Sequence, residues 1–315
     1  MECVLLGTGG MMPMPGRPLT SVAVRNGGAV YLLDCGEGTQ VPYKAHHVGM
    51  RSLRMVAITH LHADHCLGLP GMLMLRSQME EPSPITLVGP LGLERFIRNV
   101  IRDLACRITF PISVLEIDPR APVEPKGPLP VAYSDDLVTL SYLPLHHSVF
   151  CVGYRLEEHV RPGRFSPQAA LRMGLGPGPL YGRLQAGETV KAPDGREISP
   201  EDVLGPPRRG RHLSFCTDTA PCRNLYRLMD EVDLAFLEGM FLPEHEEEAK
   251  QKRHLVVSEA ARISGRAKAA QTVLVHLSPR YDQSQVGRVD ECAKAVNPAA
   301  RRGRDGERIE IPLPD

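Results

Sequence analysis

Residues 59 to 71 read THLHADHCLGLPG, which places His60, His62, Asp64 and His65 within six positions. Imidazole nitrogens and a carboxylate oxygen are donors that suit zinc, and also manganese or iron. At this spacing one loop can aim its side chains at two neighbouring points. Four donors cannot complete two metal shells, so the remaining ligands must come from elsewhere in the chain. Candidates stand at the ends of later strand-like runs: His147, with His146 competing, in LPLHH, Asp218 in FCTDTAP and His276 in TVLVH. An acid between two metals can bridge them, and Asp218 is the candidate. A lone loop histidine is ordinarily solvated, but this cluster with strand-end partners downstream predicts a metal centre. His46, His47, His159, His212 and His245 have no such company and are expected to be solvated.

These donors need rigid elements behind them. Apolar, β-rich runs recur at ECVLLG, SVAVR, AVYLLDCG, RMVAIT, ITLVG, ISVLEI, VTLSYL, CVGYRL, HLSFCT, DLAFLE and TVLVHL. Several are continuously apolar, as strands buried on both faces must be. Helical patterns separate them at 67–77, 90–104, 222–231, 244–264 and 284–296. Strands alternating with helices predict an α/β protein whose sheets are covered by helices. The stretch 157–211 breaks this rhythm with RPGRF, GLGPGPLYGR and PPRRGR. A Gly- and Pro-rich segment of this length reads as a functional excursion. Within 161–196 six Lys or Arg face two acids, a local net of +4.

The whole chain carries 37 basic and 37 acidic residues among 315, so any attraction to nucleic acid must come from a local patch of this kind. No apolar run approaches the roughly 20 residues that a membrane helix needs. The opening MECVLLGTGG has no basic region ahead of its apolar run and reads as a strand, not a signal peptide. Eight cysteines without a Cys-x-x-Cys pair suggest reduced thiols in a cytoplasmic protein. LLGTGG is an incomplete dinucleotide fingerprint, and Met-Met-Pro-Met-Pro follows where a helix should begin, so a tight loop near the site is expected instead.

The cluster after VAIT resembles the signature of the metallo-β-lactamase superfamily. The rest of the chain is similar to its ribonuclease Z branch, the tRNA 3′-processing endoribonucleases. The resemblance runs almost end to end through LLGTGG, LDCGEGTQ, THLHADHCLGLPG, GPLGLERFI, HHSVFCVGYRL, GPGPLYGRLQAGETV, LVHLSPRY and DGERIEIP. The histidine motif marks only the superfamily, whereas GPGPLYG with its following GETV resembles the tRNA-binding arm of this branch.

The resemblance implies an αββα sandwich: a single domain over 1–315 with a flexible arm inserted at 157–211, its core at about 161–196. It implies two zinc ions per chain, with manganese or iron as substitutes. His60, His62, His147 and Asp218 would hold one ion, and Asp64, His65, Asp218 and His276 the other. His147 is preferred over His146 because the family's ligand directly precedes the small and apolar residues of HSV. Asp64 would also orient the nucleophile, while Glu238 and His254 would supply or position the leaving-group proton. Around these two the family's usual His-Glu-Ala-Thr is Leu237-Glu238-Gly239-Met240 here, and its His-Ser-Thr is His254-Leu255-Val256. The arm would bind pre-tRNA through Arg161, Arg164, Arg172, Gly176, Pro177, Gly178, Pro179, Arg183, Lys191 and Arg196. A homodimer is implied as well. The rival expectations are a phosphodiesterase for small substrates such as cyclic nucleotides, and a metal-stabilised RNA-binding protein with little catalysis.

Overall fold

Strand residues buried on alternate faces build two sheets with a core on each side of both. The computed structural model describes residues 1–282 and 285–314. Sixteen strands are present among them: β1 (Glu2–Gly7), β2 (Ser21–Asn26), β3 (Ala29–Leu33), β4 (Leu53–Ala57), β5 (Ile85–Pro90), β6 (Ile112–Ile117), β7 (Val131–Ser134) and β8 (Val138–Pro144). The rest are β9 (Val152–Glu158), β10 (Val190–Lys191), β11 (Glu197–Ile198), β12 (His212–Cys216), β13 (Leu234–Glu238), β14 (Thr272–Val275), β15 (Ala300–Arg302) and β16 (Arg308–Glu310). The first sheet has the order β16-β1-β2-β3-β4-β5-β6, and the second β15-β14-β13-β12-β9-β8-β7. From β3 to β6 the strands run parallel, as do β12 to β15. All eleven runs read as strands in the sequence lie in these sheets.

The period of two explains the apolar runs. In β3, Ala29, Tyr31 and Leu33 face the second sheet, where they meet Tyr154, Phe215, Phe236 and Val273 in one cluster. Val30 and Leu32 face the other way and pack with Leu69, Met72 and Leu73 of helix Leu69–Ser77 and with Leu93 and Ile97 of helix Leu93–Asp103. Ala235 and Leu237 of β13 likewise pack on helices Arg223–Leu228, Val257–Arg266 and Val286–Val296. The layers are therefore helix, sheet, sheet, helix. Both strand faces are buried, which leaves no alternation of polar residues to read.

The helix expected over 244–264 is two. Helix Glu246–Lys252 stops at Arg253, whose φ of 59° is left-handed, and helix Val257–Arg266 begins after a short extended segment holding His254. No glycine or proline marks this break, so the periodicity ran through it.

The chain divides into two compact units, one of Met1–Glu157 and His212–Pro312, the other built on Glu158–Arg211. The second has its own small core of Ala170, Leu175, Leu184, Val190, Ala192, Ile198 and Val203. Ser166 caps a six-residue helix, Pro167–Arg172, by accepting from the Ala169 N–H at 3.2 Å. Pro179 opens the next helix, Pro179–Gln185, from which the Tyr181 hydroxyl donates to the Leu175 carbonyl at 2.8 Å. GPGP is thus the exposed bend between two short helices. Arg164, Arg172, Arg183, Lys191 and Arg196 are exposed, whereas the Arg161 side chain is only 17% exposed and lies 4.0 Å from Glu158.

Candidate metal centre

The strand ends deliver every donor named from the sequence to one place. His60 follows β4, His147 follows β8, Asp218 follows β12 and His276 follows β14, while His62, Asp64 and His65 lie in and before the short helix Ala63–Cys66. Asp218 and His276 have φ of 54° and 58°, a left-handed turn that costs roughly 1–2 kcal/mol per residue. Such strain persists where the surroundings hold a side chain in place, and it clusters at functional sites.

The donors form two groups. His62 Nδ1 lies 2.9 Å from His60 Nε2 and 3.3 Å from His147 Nε2, and each of those two Nε2 atoms lies 3.6 Å from Asp218 Oδ2. In the second group His65 Nε2 and His276 Nε2 are 3.2 Å apart. Asp64 Oδ2 lies 3.5 and 3.2 Å from them, and Asp218 Oδ1 lies 3.3 and 3.2 Å from them. Ligands about 2.0–2.1 Å from a tetrahedral metal are spaced about 3.3–3.4 Å apart, so both sets have the spacing of a metal shell. The chemistry of the donors agrees. His62 Nδ1 faces two other ring nitrogens, and one nitrogen cannot satisfy both by hydrogen bonding. Asp218 Oδ1 is buried without a hydrogen-bond partner. His146 is exposed and its neighbour His147 buried, so only the latter reaches the cluster.

Electrostatics point the same way. Burial disfavours the Asp218 anion, yet the rings of His276, His65 and His60 outweigh it and hold the carboxyl well below its usual range. Burial pushes His60 well down, towards the neutral form that ligates metal. Carboxylates this deep require compensating positive charge, which a divalent cation supplies.

Behind these donors stands a residue that the sequence reading did not single out. Asp34, fully buried just after β3 with φ of 56°, accepts from the Thr59 N–H at 2.7 Å and the Thr59 hydroxyl at 2.9 Å, and it lies 2.7 Å from His65 Nδ1. It fixes the His65 ring so that Nε2 points at the second group. Its only signal was its position at a strand end inside LDCGEGTQ. Arg253 does a similar service, donating to the His147 carbonyl at 2.7 Å while its own carbonyl lies 3.4 Å from His147 Nδ1.

LLG ends β1, and residues 8–10 of LLGTGG make the tight loop expected there. A Cβ on Gly10 would come within 2.7 Å of the His276 ring, so glycine is required there. The next N–H, of Met11, donates to Asp64 Oδ2 at 2.7 Å.

Glu238 is fully buried at the end of β13 and accepts from the Thr219 N–H, and from the Leu255 N–H at 3.1 Å. Its Oε2 lies 3.0 Å from His254 Nδ1, so the ring presents Nε2 elsewhere. Burial disfavours a charged His254, but the Glu238 carboxylate more than offsets it and raises this histidine to about 9. Where the resemblance predicts polar neighbours, Met240, Phe241, Ala249 and Val256 form a small apolar cluster that supports the turn. A cavity of about 450 Å³ opens beside the donors, lined by Met11, Asp64, His147, Asp218, His254 and His276 among others. Glu238 is not in its wall, so it can act only through His254.

Of the five histidines expected to be solvated, only His47 is exposed; His46, His159, His212 and His245 are half-buried. His245 Nδ1, for instance, lies 2.9 Å from the Tyr281 hydroxyl. None of them joins the donor groups.

Two sheets between helical layers, with clustered histidine and aspartate donors at the strand ends, define a metallo-β-lactamase-fold protein. Solved structures agree: the chain superposes on human tRNase Z, short form, with a TM-score of 0.72 at 23% identity, covering 99% of this chain and 100% of that one. It also superposes on the metallo-β-lactamase-fold protein YhfI from Bacillus subtilis with a TM-score of 0.64 at 17% identity, covering 98% of each. A family described as Anti-Pycsar protein Apyc1 matches residues 1–100, the part that carries His60 to His65 but neither Asp218 nor His276. Among curated proteins, ribonuclease Z of Treponema denticola is 37% identical over 315 residues, covering 100% of this chain and 99% of that protein. Ribonuclease Z of Salinibacter ruber is 37% identical over 314 residues, covering 99% and 94%. The chain belongs to the ribonuclease Z family.

Proposed function

We infer that this protein is a metal-dependent endoribonuclease that cuts the 3′ trailer from pre-tRNA and leaves a 3′-hydroxyl on the tRNA. The observation that carries the reading is likeness to ribonuclease Z over the full chain, the Glu158–Arg211 unit included. The spacing of the two donor groups supports it. We assign His60, His62, His147 and Asp218 to one ion and Asp64, His65, Asp218 and His276 to the other, with zinc the metal that best suits such donors. Bound there, the ions would supply positive charge for the phosphoryl oxygens and lower the pKa of a water.

The chain's own residues then have distinct tasks. Asp64, steadied at Oδ2 by the Met11 N–H, orients the attacking water and accepts its proton. His254, held at Nδ1 by Glu238, gives a proton from Nε2 to the departing 3′-oxygen. Glu238 keeps that ring charged and aimed. The exposed cations of the second unit meet tRNA phosphates, a contact that reads shape more than sequence. Homodimer assembly carries over from the family resemblance, and a cytoplasmic location from the eight scattered cysteines; among the described residues no helix is long and apolar enough to cross a membrane.

The alternative, a phosphodiesterase for small substrates, uses the same cavity but gives the second unit no task. Turnover of a 3′-extended pre-tRNA and of a cyclic nucleotide, measured side by side, separates the two. The inference requires the RNA to be the better substrate by kcat/KM, and a preference for the cyclic nucleotide reverses it.

A further inference from the structure

Among the described residues that line the cavity, one side chain is permanently cationic: Lys252. It ends helix Glu246–Lys252, two residues before His254. Its ammonium lies 2.8 Å from Glu248 Oε1, and its side chain is 43% exposed. The His254 and Asp218 side chains, at 8% and 4%, sit far deeper. Lys252 therefore stands at the mouth of the cavity, on the side where His254 faces the leaving oxygen.

The partner of Lys252 is already satisfied without it. The Arg280 guanidinium donates to the same Glu248 oxygen at 2.6 Å. Both cations also lie against the Phe241 ring, Arg280 at 5.1 Å and Lys252 at 5.9 Å from its centroid. Two cations share one acid, so the trio keeps a net positive charge. Lys252 can swing away on its flexible stem while Arg280 still neutralises Glu248.

We propose that Lys252 binds the RNA phosphate adjacent to the scissile one, on the tRNA side of the cut. This rests on the reading that the substrate is RNA and that His254 protonates its 3′-oxygen. The scissile phosphate must reach Asp64 and Asp218 at the bottom of the cavity. From there the strand on the His254 side leaves through the mouth, where its next phosphate meets the ammonium. A small diester has no such phosphate.

The test uses the metal-loaded protein with a 3′-extended pre-tRNA and, separately, bis(p-nitrophenyl) phosphate. Loss of one charge-assisted contact in Lys252→Ala should raise KM for pre-tRNA about 10- to 100-fold. The salt dependence of binding should weaken by roughly one counterion, and kcat should stay within about twofold. Lys252→Arg should keep most of the affinity. Hydrolysis of the small diester should fall far less than pre-tRNA cleavage in either variant. Glu248→Gln, which releases Lys252, should leave KM for pre-tRNA unchanged or lower. The proposal is overturned if Lys252→Ala cuts pre-tRNA like the parent, if the small diester suffers equally, or if Glu248→Gln does the same damage as Lys252→Ala, since that pattern marks a structural ion pair. A parent that hydrolyses the diester but leaves pre-tRNA intact overturns the ribonuclease reading together with this one.

Discussion

The second unit can be removed cleanly, which makes its task measurable. Its chain enters and leaves through adjacent strands. The Glu158 N–H donates to the Arg211 carbonyl at 2.9 Å, and Glu157 pairs with His212 across β9 and β12. Antiparallel strands so placed can be closed by a two-residue turn, so an Asn-Gly in place of residues 159–210 joins them without a gap. None of the residues in the three sandwich clusters comes from that stretch, so those clusters keep every member. The loss in charge is smaller than a count of arginines suggests. Residues 159–210 hold eight Lys or Arg and five acids, a net of +3. Arg183 is paired with Glu188 at 2.8 Å and Arg196 with Asp194 at 2.7 Å. About three uncompensated phosphate contacts are therefore expected, a salt slope of about −2.7, or roughly a 40-fold fall in affinity between 50 and 200 mM salt. The variant should lose that part of the slope and cut pre-tRNA at least about tenfold less efficiently at low salt. Its hydrolysis of bis(p-nitrophenyl) phosphate should stay within a few-fold of the parent. Unchanged pre-tRNA cleavage with an unchanged salt slope would refute the assignment of this unit to tRNA.

Elemental analysis of protein purified without chelator should approach two metal ions per chain, and Asp34→Asn, which removes the anion behind His65, should weaken metal retention about 10- to 100-fold; a firm stoichiometry of one sinks the shared-Asp218 scheme. Asp64→Ala should nearly abolish cleavage with the fold intact by circular dichroism, because a donor and the proton acceptor vanish together. A variant that cuts at close to the parent rate removes Asp64 from the mechanism. Glu238→Ala and His254→Ala should each slow pre-tRNA cleavage, with little added damage in the double variant, since the pair handles one proton as a unit. A substrate with a nitrophenyl leaving group should largely restore their rates, and equal damage on both substrates would assign the pair a structural role instead.

The sheets were legible because burial on both faces demands apolar runs, and β1, β3, β5, β13 and β14 carry them. Short edge strands such as β7, β15 and β16 carry three or four residues each, too few for a pattern. The metal donors could be read because type, spacing and strand-end position agree at each. Asp34 lacked such a pattern: a single acid after a strand gives no sign that it will turn inwards at positive φ to hold a histidine. The break at Arg253 was hidden for the same reason, since a left-handed arginine leaves no trace in periodicity. The inner structure of the second unit escaped because its helices, of six and seven residues, are too short to show a face.

The most direct test of the central claim is to incubate the metal-loaded protein with a 3′-extended pre-tRNA and map both new ends. The account predicts one cut, after the discriminator base, with a 3′-hydroxyl on the tRNA and a 5′-phosphate on the trailer, and no cut once a chelator has removed the metal. A 3′-phosphate on the tRNA, cleavage that survives chelation, or an intact precursor beside rapid hydrolysis of small diesters would contradict it.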